Sequence, residues 1–287
     1  PFVRHWVREV GCRNVALGGG IFANVKLNQR INECGEVDAL WVIPHMGDGG
    51  LAVGGALASA GAAPTRLEHA FLGSSFGQRD QFKALQRGGL RAVDMANQPG
   101  PDGLGGDVAR VAELLAAGKV VARFDGAMEW GPRALCHRSI IARPSDPSIN
   151  QWLNDKLKRS EFMPFAPVVR VEDGPRFFKG LQTARESARF MTCCFEATPL
   201  FRQLAPAAVH VDGTARPQLL SAEESPSMHA LLGRVGALTG APILINTSFN
   251  LHEEPIVCSP SDAVRAHQQA GLDALWMGTY VAEADPS

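Results

Sequence analysis

The sequence of 287 residues has no unbroken apolar run near the ~18 residues that a membrane-spanning helix needs. Neither sign of charge dominates, since 28 Lys and Arg residues balance 29 Asp and Glu residues. This balance argues against a protein that binds nucleic acid through a general basic field. The first residues, PFVRHWVREV, lack the apolar core of a signal peptide. These absences predict a cytoplasmic protein that binds neither membranes nor nucleic acid.

The six cysteines are scattered, without a CxxC pair or the spacing of a disulfide framework. Cys193 and Cys194 are adjacent, which is poor geometry for pairing with each other. We therefore expect reduced and buried thiols, as in a reducing compartment. A content of 45% hydrophobic and 20% charged residues is that of a globular chain.

The order of predicted elements indicates an α/β fold in which the chain has two parts. In the first sixty residues a strand, a glycine-rich turn and a helix follow one another twice. A stretch rich in Gly and Pro then precedes a second region of alternating helices and strands. The predicted organisation is an N-terminal segment of residues 1–62, a connector of residues 63–106 and a C-terminal domain of residues 107–287.

Apolar runs and helical spacing locate the individual elements. The predicted strands are 14–17, 39–43, 120–124, 140–142, 166–171, 190–195, 242–245 and 274–277. The predicted helices are 21–32, 51–60, 80–87, 108–117 and 262–270.

Two loops of the N-terminal segment have the composition of ligand sites. GGGIFAN (18–24) joins a strand to a helix, where exposed N–H groups let a phosphate or ribose approach the main chain. A tight turn that needs positive φ is the alternative interpretation. PHMGDGG (44–50) holds one carboxylate, Asp48, which either ligates a cation or forms an Asx turn. A metal here needs further ligands from elsewhere.

Four polar loops of the C-terminal domain each follow a strand-like or apolar run. They are 125–139 (DGAMEWGPRALCHRS), 156–167 (KLKRSEFMPFAP), 210–218 (HVDGTARPQ) and 246–250 (NTSFN). Taken singly, the first also fits a surface ion-pair loop and the second a solvated charged face. Taken together, their guanidinium, ammonium and amide groups predict a pocket for a phosphate-bearing anion. No Ser-His-Asp or Cys-His spacing supports covalent catalysis.

Longer motifs resemble one known family. MEWGPRALCHRSIIARPSD, LNDKLKRSEFMPFAPVV, HVDGTARPQ and NTSFNLHEEPIVCSPSDA strongly resemble, in that order, the C-terminal domain of the NodU/CmcH carbamoyltransferases. LGGGIFANVKLNQRI and IPHMGDGGLAVGGAL resemble the end of the family's N-terminal domain. The resemblance implies the C-terminal portion of an actin/Hsp70-like ATPase domain, followed by a YrdC-like α/β domain.

The resemblance also implies a reaction. Members of the family form carbamoyl adenylate from carbamoyl phosphate and ATP, and transfer the carbamoyl group to a hydroxyl of a sugar or natural product. Transfer takes place beside a divalent metal, reported as iron, and Mg accompanies ATP. The implied ligands are thus carbamoyl phosphate, ATP and a small-molecule hydroxyl acceptor.

Matched positions assign roles to individual residues. The implied catalytic residues are Lys158, Arg159 and Arg216. The implied binding residues for carbamoyl phosphate and the adenylate are Arg133, Arg138, Ser139, Asn246, Ser248 and Asn250. Gly19, Gly20 and Asn24 would bind the nucleotide of the N-terminal domain, and Asp48 would ligate the metal.

Two departures from the family pattern affect these assignments. The family's metal site needs a His pair that this chain lacks, and residues 1–60 hold too little sheet for an actin-like fold. We therefore expect a C-terminal fragment, or one half of a split enzyme whose N-terminal half is a separate chain. KLKRSEFMP is one residue shorter than the common spacing, so Lys156 and Lys158 are alternative matches.

Two other functions are weighed against this one. A YrdC-related enzyme of the tRNA threonylcarbamoyladenosine type would need a basic RNA-binding face, which near-neutral charge and the GPRAL and NTSFN motifs disfavour. A non-catalytic remnant is the third interpretation, and it predicts no response to ATP and carbamoyl phosphate.

Overall fold

The computed structural model describes residues 1–63, 65–103, 105–157 and 165–284. The α-helices in this part of the chain are α1 (Phe2–Val10), α2 (Val25–Asn32), α3 (Asp48–Ser59), α4 (Gln78–Arg87), α5 (Gly106–Ala116), α6 (Ser148–Lys156), α7 (Gly174–Phe177), α8 (Leu181–Ala188), α9 (Pro199–Leu204), α10 (Pro226–Thr239) and α11 (Pro260–Ala270). None of these described helices combines the length and the apolarity that a bilayer crossing requires.

The β-strands of the same part of the chain are β1 (Asn14–Leu17), β2 (Ala39–Val42), β3 (Ala92–Asp94), β4 (Val121–Phe124), β5 (Arg138–Ala142), β6 (Ala166–Arg170), β7 (Phe178–Lys179), β8 (Phe195–Ala197), β9 (Thr214–Ala215), β10 (Gln218–Leu220), β11 (Ile243–Ser248), β12 (Ala274–Met277) and β13 (Tyr280–Glu283).

One large mixed sheet organises the C-terminal region, and it confirms the predicted α/β class. Its strand order among the described residues is β10-β6-β11-β5-β4-β12-β13-β3. β11 lies near the centre and runs antiparallel to both neighbours, with Asn246 opposite Ile141 on β5 and Ala166 on β6. Helices cover both faces, and consecutive residues such as Val121 and Ala122 enter separate cores. The central strands are therefore rich in apolar residues, which made them recognisable in the sequence, although β4, β5 and β11 also carry polar residues.

The helical layers follow local sequence signals. α5 packs along α10 on one face, where Val111, Leu115 and Leu231 are buried. α4 and α11 pack together on the other face. α11 begins with a capping box in which the Ser259 side chain accepts from the amide of Asp262, as SPSD before an apolar stripe predicts.

A second lobe joins the N-terminal segment to the middle of the chain. β1 and β2 form a parallel pair, and β7, β8 and β9 form a small antiparallel sheet. Leu40 and Val42 of β2 share one core with Phe177 and Phe195. This shared core fixes the N-terminal segment against residues 174–216, close to the Arg216 loop.

Two predicted elements differ from the structure. The strand predicted at 190–195 is wrong, because this apolar run first closes α8: the amides of Phe190 and Thr192 donate to Ser187 O. Met191 takes a positive φ of 55° there, and the strand begins only at Phe195. The helix predicted at 21–32 is interrupted, since Asn24 ends a 3-10 turn and caps α2.

Ser187 provides a test of how the N-terminal segment is held within the second lobe. Its hydroxyl donates to Leu40 O at 2.9 Å and accepts from Val42 N at 3.0 Å, with no solvent exposure. Ser187→Ala leaves both buried main-chain groups unpaired, so we expect the free energy of unfolding to fall by about 1–3 kcal/mol. Urea denaturation measures the change.

The matched control is Ser59→Ala at the exposed end of α3. An Ala substitution there is expected to change the unfolding free energy by less than about 0.5 kcal/mol. Equal effects of the two substitutions would show that the Ser187 hydroxyl does not hold β2.

Candidate functional site

A cavity of about 330 Å³ opens at the end of β11. The predicted site residues in its wall are Arg133, Arg216, Asn246, Ser248 and Asn250. Arg133 comes from the loop between β4 and β5, Arg216 from the link between β9 and β10, and the other three from β11 and the turn after it. Three of the four polar loops therefore bring predicted site residues to one place, and the fourth, 156–167, contributes Phe165 and Ala166 to the same wall.

The two arginines of the wall form no ion pair with the described residues, although the 86% exposed side chain of Glu253 also lines the cavity. Both are half-buried, and no described acid forms a salt bridge with either guanidinium. Burial lowers the pKa of Arg133, and burial together with the charge of Arg133 lowers the pKa of Arg216 to about 10. Both groups stay protonated at neutral pH. A pair of neighbouring cations with no ion-pair partner among the described residues favours the binding of an anion in this cavity.

A buried amide network holds the two arginine loops together. Asn246 is 2% exposed, and its Nδ2 donates to Ala134 O at 3.0 Å and to Gln218 Oε1 at 2.7 Å. Gln218 Nε2 in turn donates to Leu135 O at 3.2 Å. Since Ala134 follows Arg133 and Gln218 lies two residues after Arg216, these contacts fix the arginines relative to each other.

Two wall residues retain an unsatisfied acceptor. Asn250 Nδ2 donates to the carbonyl oxygens of Leu251 and Glu254, and Asn246 Nδ2 is likewise occupied. The Oδ1 atoms of both asparagines are buried and accept no hydrogen bond from the described residues. A buried amide oxygen is stabilised by a donor, so each of these two side chains has a hydrogen-bonding position that the described residues leave unfilled.

Glu129 builds the loop that carries Arg133. Its side chain is 7% exposed, and Oε1 accepts from the amides of Leu135, His137 and Arg138 at 2.7, 2.8 and 3.1 Å. The carboxylate thus replaces the main-chain partners that a strand or helix would have provided. Sequence reasoning gave Glu129 no role of its own, because one of two acids in a polar loop with glycine and proline carries no specific signal.

Arg138 and Ser139 do not line the cavity. The Arg138 side chain is fully buried over the Phe124 ring at 3.6 Å, and it donates to the carbonyl oxygens of Ser74 and Gly126. The Ser139 hydroxyl accepts from the amide of Cys136 at 3.0 Å. Both side chains therefore hold neighbouring loop segments in place through these hydrogen bonds. Lys158 and Arg159 lie outside the described residues.

The residues predicted to bind a nucleotide and a metal lie at the carboxyl ends of β1 and β2. Gly19 donates its amide to Met46 O at 2.7 Å, so the glycine loop and the loop of Asp48 run side by side. Gly19 has φ 113°, which requires glycine, and Gly20 begins the following 3-10 turn. Asn24 Oδ1 is occupied in capping α2. These residues lie together at one edge of the β1–β2 pair, and none of them lines the cavity of Arg133 and Arg216.

The described residues do not by themselves make a metal site. Asp48 is exposed in the first turn of α3. No cluster of three or more His, Cys, Asp or Glu side chains suited to a metal occurs in the described ranges. His45 of the same loop packs its ring 5.4 Å from that of Trp130. A metal beside Asp48 would therefore require ligands beyond these residues.

Both parts of the chain match models of a known protein family. Residues 112–284 match the family model described as Carbamoyltransferase C-terminus, and residues 3–57 match Carbamoyltransferase N-terminus. The chain belongs to the carbamoyltransferase family. This confirms the resemblance seen in the motifs.

Two relatives illustrate the extent of the similarity. The chain is 34% identical to nodulation protein NolNO of Sinorhizobium fredii over 97% of its own length and 41% of that protein. It is 31% identical to nodulation protein NolO of Bradyrhizobium diazoefficiens, over 99% and 52% respectively. The chain thus spans about half the length of the curated relatives it matches.

A similar solved structure is that of full-length HypF in its phosphate- and nucleotide-bound form. The two are 19% identical with a TM-score of 0.45, over 61% of this chain and 25% of that one.

The Glu129 carboxylate allows a test of how the arginine loop is built. Glu129→Ala leaves three buried amides without an acceptor, and we expect the unfolding free energy to fall by about 3 kcal/mol or more. Glu129→Gln keeps an acceptor oxygen at the same place and is expected to lose less. Urea denaturation compares both with Glu9→Ala on exposed α1. A Glu129→Ala effect no larger than that of Glu9→Ala would contradict the proposed role of this carboxylate.

Proposed function

We propose that this chain forms the carbamoyl-phosphate-binding part of an O-carbamoyltransferase. The observation that carries the proposal is the cavity in which Arg133 and Arg216 lie together, without an ion pair to any residue that the structure describes. Membership of the carbamoyltransferase family supports the same conclusion. On this proposal, residues 107–287 are a YrdC-like domain, and residues 1–62 are the end of an actin/Hsp70-like domain.

The polar groups of the wall match both ends of carbamoyl phosphate. Guanidinium forks bind phosphate oxygens in two parallel hydrogen bonds, which suits Arg133 and Arg216. The carbamoyl NH₂ group is a hydrogen-bond donor, and the unsatisfied Oδ1 atoms of Asn246 and Asn250 are acceptors. We propose Ser248 as a further hydroxyl ligand in the same wall. An ordinary inorganic anion would use only the arginines.

The proposed reaction has three balanced steps. Water splits carbamoyl phosphate into carbamate and inorganic phosphate. A carbamate oxygen then attacks the α-phosphorus of ATP, and pyrophosphate leaves as the bond between the α- and β-phosphates breaks. Finally the acceptor hydroxyl attacks the carbonyl carbon of carbamoyl adenylate, loses its proton and displaces AMP.

The arginines act on the second step. Carbamate and ATP are both anions, and their repulsion opposes the approach of the attacking oxygen. Fixed cations offset this repulsion and stabilise the charge that develops on the transferring group, by about 2.7–4 kcal/mol for one well-placed donor. By the family resemblance we propose Lys158 and Arg159 as further cations of this kind. Arg138 and Ser139 would contribute by holding the loops.

The third step calls for residues of the N-terminal domain. We propose that Gly19, Gly20 and Asn24 bind the nucleotide of that domain, and that Asp48 supplies one ligand of a divalent metal, iron in the family. Mg would accompany ATP. Because the chain spans about half the length of its relatives, we propose that transfer requires an N-terminal half. Leu51 and Leu57 on α3, 63% and 52% exposed, support such a contact.

Single substitutions test the arginine cavity. We expect Arg133→Ala and Arg216→Ala each to weaken carbamoyl phosphate binding about tenfold or more, since each removes charged hydrogen bonds to the anion. Isothermal titration of the chain with carbamoyl phosphate measures the affinities. Arg143→Ala is the control, because Arg143 is also half-buried but donates to Ala116 O near the far end of β5. Unchanged affinity in both test variants would reject the cavity as the donor site.

A second measurement tests the adenylation step. With ATP and carbamoyl phosphate together, we expect the chain to release pyrophosphate, and Arg216→Ala to slow this release about tenfold or more. An enzymatic pyrophosphate assay follows the product. No heat and no pyrophosphate from the unaltered chain would instead support a non-catalytic remnant.

A further inference from the structure

An ion pair links the N-terminal segment to the turn that carries Arg216. Lys26 Nζ of α2 contacts Asp212 Oδ2, 186 residues later in the chain. We propose that Lys26 is a positioning residue for the arginine cavity, and that its contact with Asp212 fixes Arg216 in its anion-binding place. The inference rests on the proposed function, because the site it concerns is the proposed carbamoyl phosphate site.

The turn before Arg216 depends on Asp212. Asp212 Oδ1 accepts from the amide and the hydroxyl of Thr214, at 3.1 and 2.6 Å. Gly213 takes φ 78°, and the amide of His210 donates to Thr214 O at 2.7 Å. One carboxylate oxygen therefore closes the turn and the other meets Lys26. A displacement of Asp212 would be passed through the short strand β9 to Arg216, only four residues away.

Lys26 is held on a rigid support. It lies in the first turn of α2, and its Nζ also donates to Gln29 Oε1 at 2.8 Å. α2 is anchored by Asn28, whose Nδ2 is buried and donates to Thr192 O at 2.7 Å. Thr192 follows Met191, a wall residue of the cavity. The ammonium group thus has a fixed position relative to the wall.

The contact with Lys26 also stabilises the charged form of Asp212. Although burial opposes it, the Lys26 ammonium and the Thr214 donors hold the pKa of Asp212 well below its usual range. Asp212 is therefore a carboxylate whose charge Lys26 compensates. Arg216, Lys26 and Asp212 all act electrostatically on the half-buried His210. Without Lys26, an uncompensated negative charge would stand beside the cavity.

Phosphate binding by the full chain tests the proposal. Isothermal titration with inorganic phosphate is carried out on the unaltered chain, Lys26→Met, Asp212→Asn and Lys26→Arg. We expect Lys26→Met and Asp212→Asn each to weaken binding about three- to fivefold, the range for a partly exposed ion pair. Lys26→Arg keeps the ion pair and is expected to stay within about twofold of the unaltered chain.

Asp212→Asn distinguishes positioning from simple electrostatics. Removing a negative charge near an anion site strengthens binding if only charge matters. Weaker binding by Asp212→Asn therefore supports positioning, and stronger or unchanged binding overturns it. The unfolding temperature reports on a merely structural role. It is expected to stay within about 2 °C, because the two side chains are 39% and 43% exposed.

A matched control is available in the small sheet of β7, β8 and β9. Lys179 and Glu196 form an exposed ion pair at 2.7 Å between β7 and β8. Lys179→Met makes the same change of charge away from the cavity and is expected to leave phosphate affinity unchanged. An equal loss in Lys179→Met and Lys26→Met would reject a specific role for Lys26. Absence of phosphate binding by the unaltered chain would reject the proposed function and this inference together.

Discussion

The mutual repulsion of Arg133 and Arg216 is the constraint on which the site depends. Two half-buried cations that form no ion pair within the described part of the chain disfavour the folded state unless the surrounding residues hold them. The amide of Asn246 and the carboxylate of Glu129 provide this support without neutralising either guanidinium. Both bind main-chain groups of the loop instead. The folded chain thus retains electrostatic energy that a bound anion can release.

Both arginine loops also rest on the N-terminal segment. Asp212, before Arg216, meets Lys26. Gly131, before Arg133, has φ 120° and approaches Pro44 so closely that a Cβ atom would lie 3.1 Å from the Pro44 carbonyl oxygen. The arginine cavity and the loops proposed for nucleotide and metal are therefore linked by one close backbone approach and one ion pair. Through these contacts, a movement of the N-terminal loops would displace the loops that carry Arg133 and Arg216.

Local signals predicted much of the fold, and tertiary contacts decided the rest. Buried strands such as β4 and β12 and the capped helix α11 were recognisable because their patterns are local. The convergence of Arg133 and Arg216 followed from the rule that ligands lie at strand ends. The same rule does not predict that Arg138 lies outside the cavity, because the position of this side chain depends on carbonyl oxygens contributed by residues 74 and 126. The role of Glu129 likewise exists only once its loop has closed.

The cysteines near the cavity bear on the type of chemistry. Burial raises the pKa of the Cys194 thiol to about 11, even though Arg216, Lys26 and Arg133 favour its thiolate. Burial also raises the pKa of Cys136, which lies within the amide network beside Gln218. A protonated, buried thiol is a poor nucleophile at neutral pH. These two cysteines are therefore unsuited to nucleophilic catalysis, in line with the lack of a Cys-His spacing in the sequence.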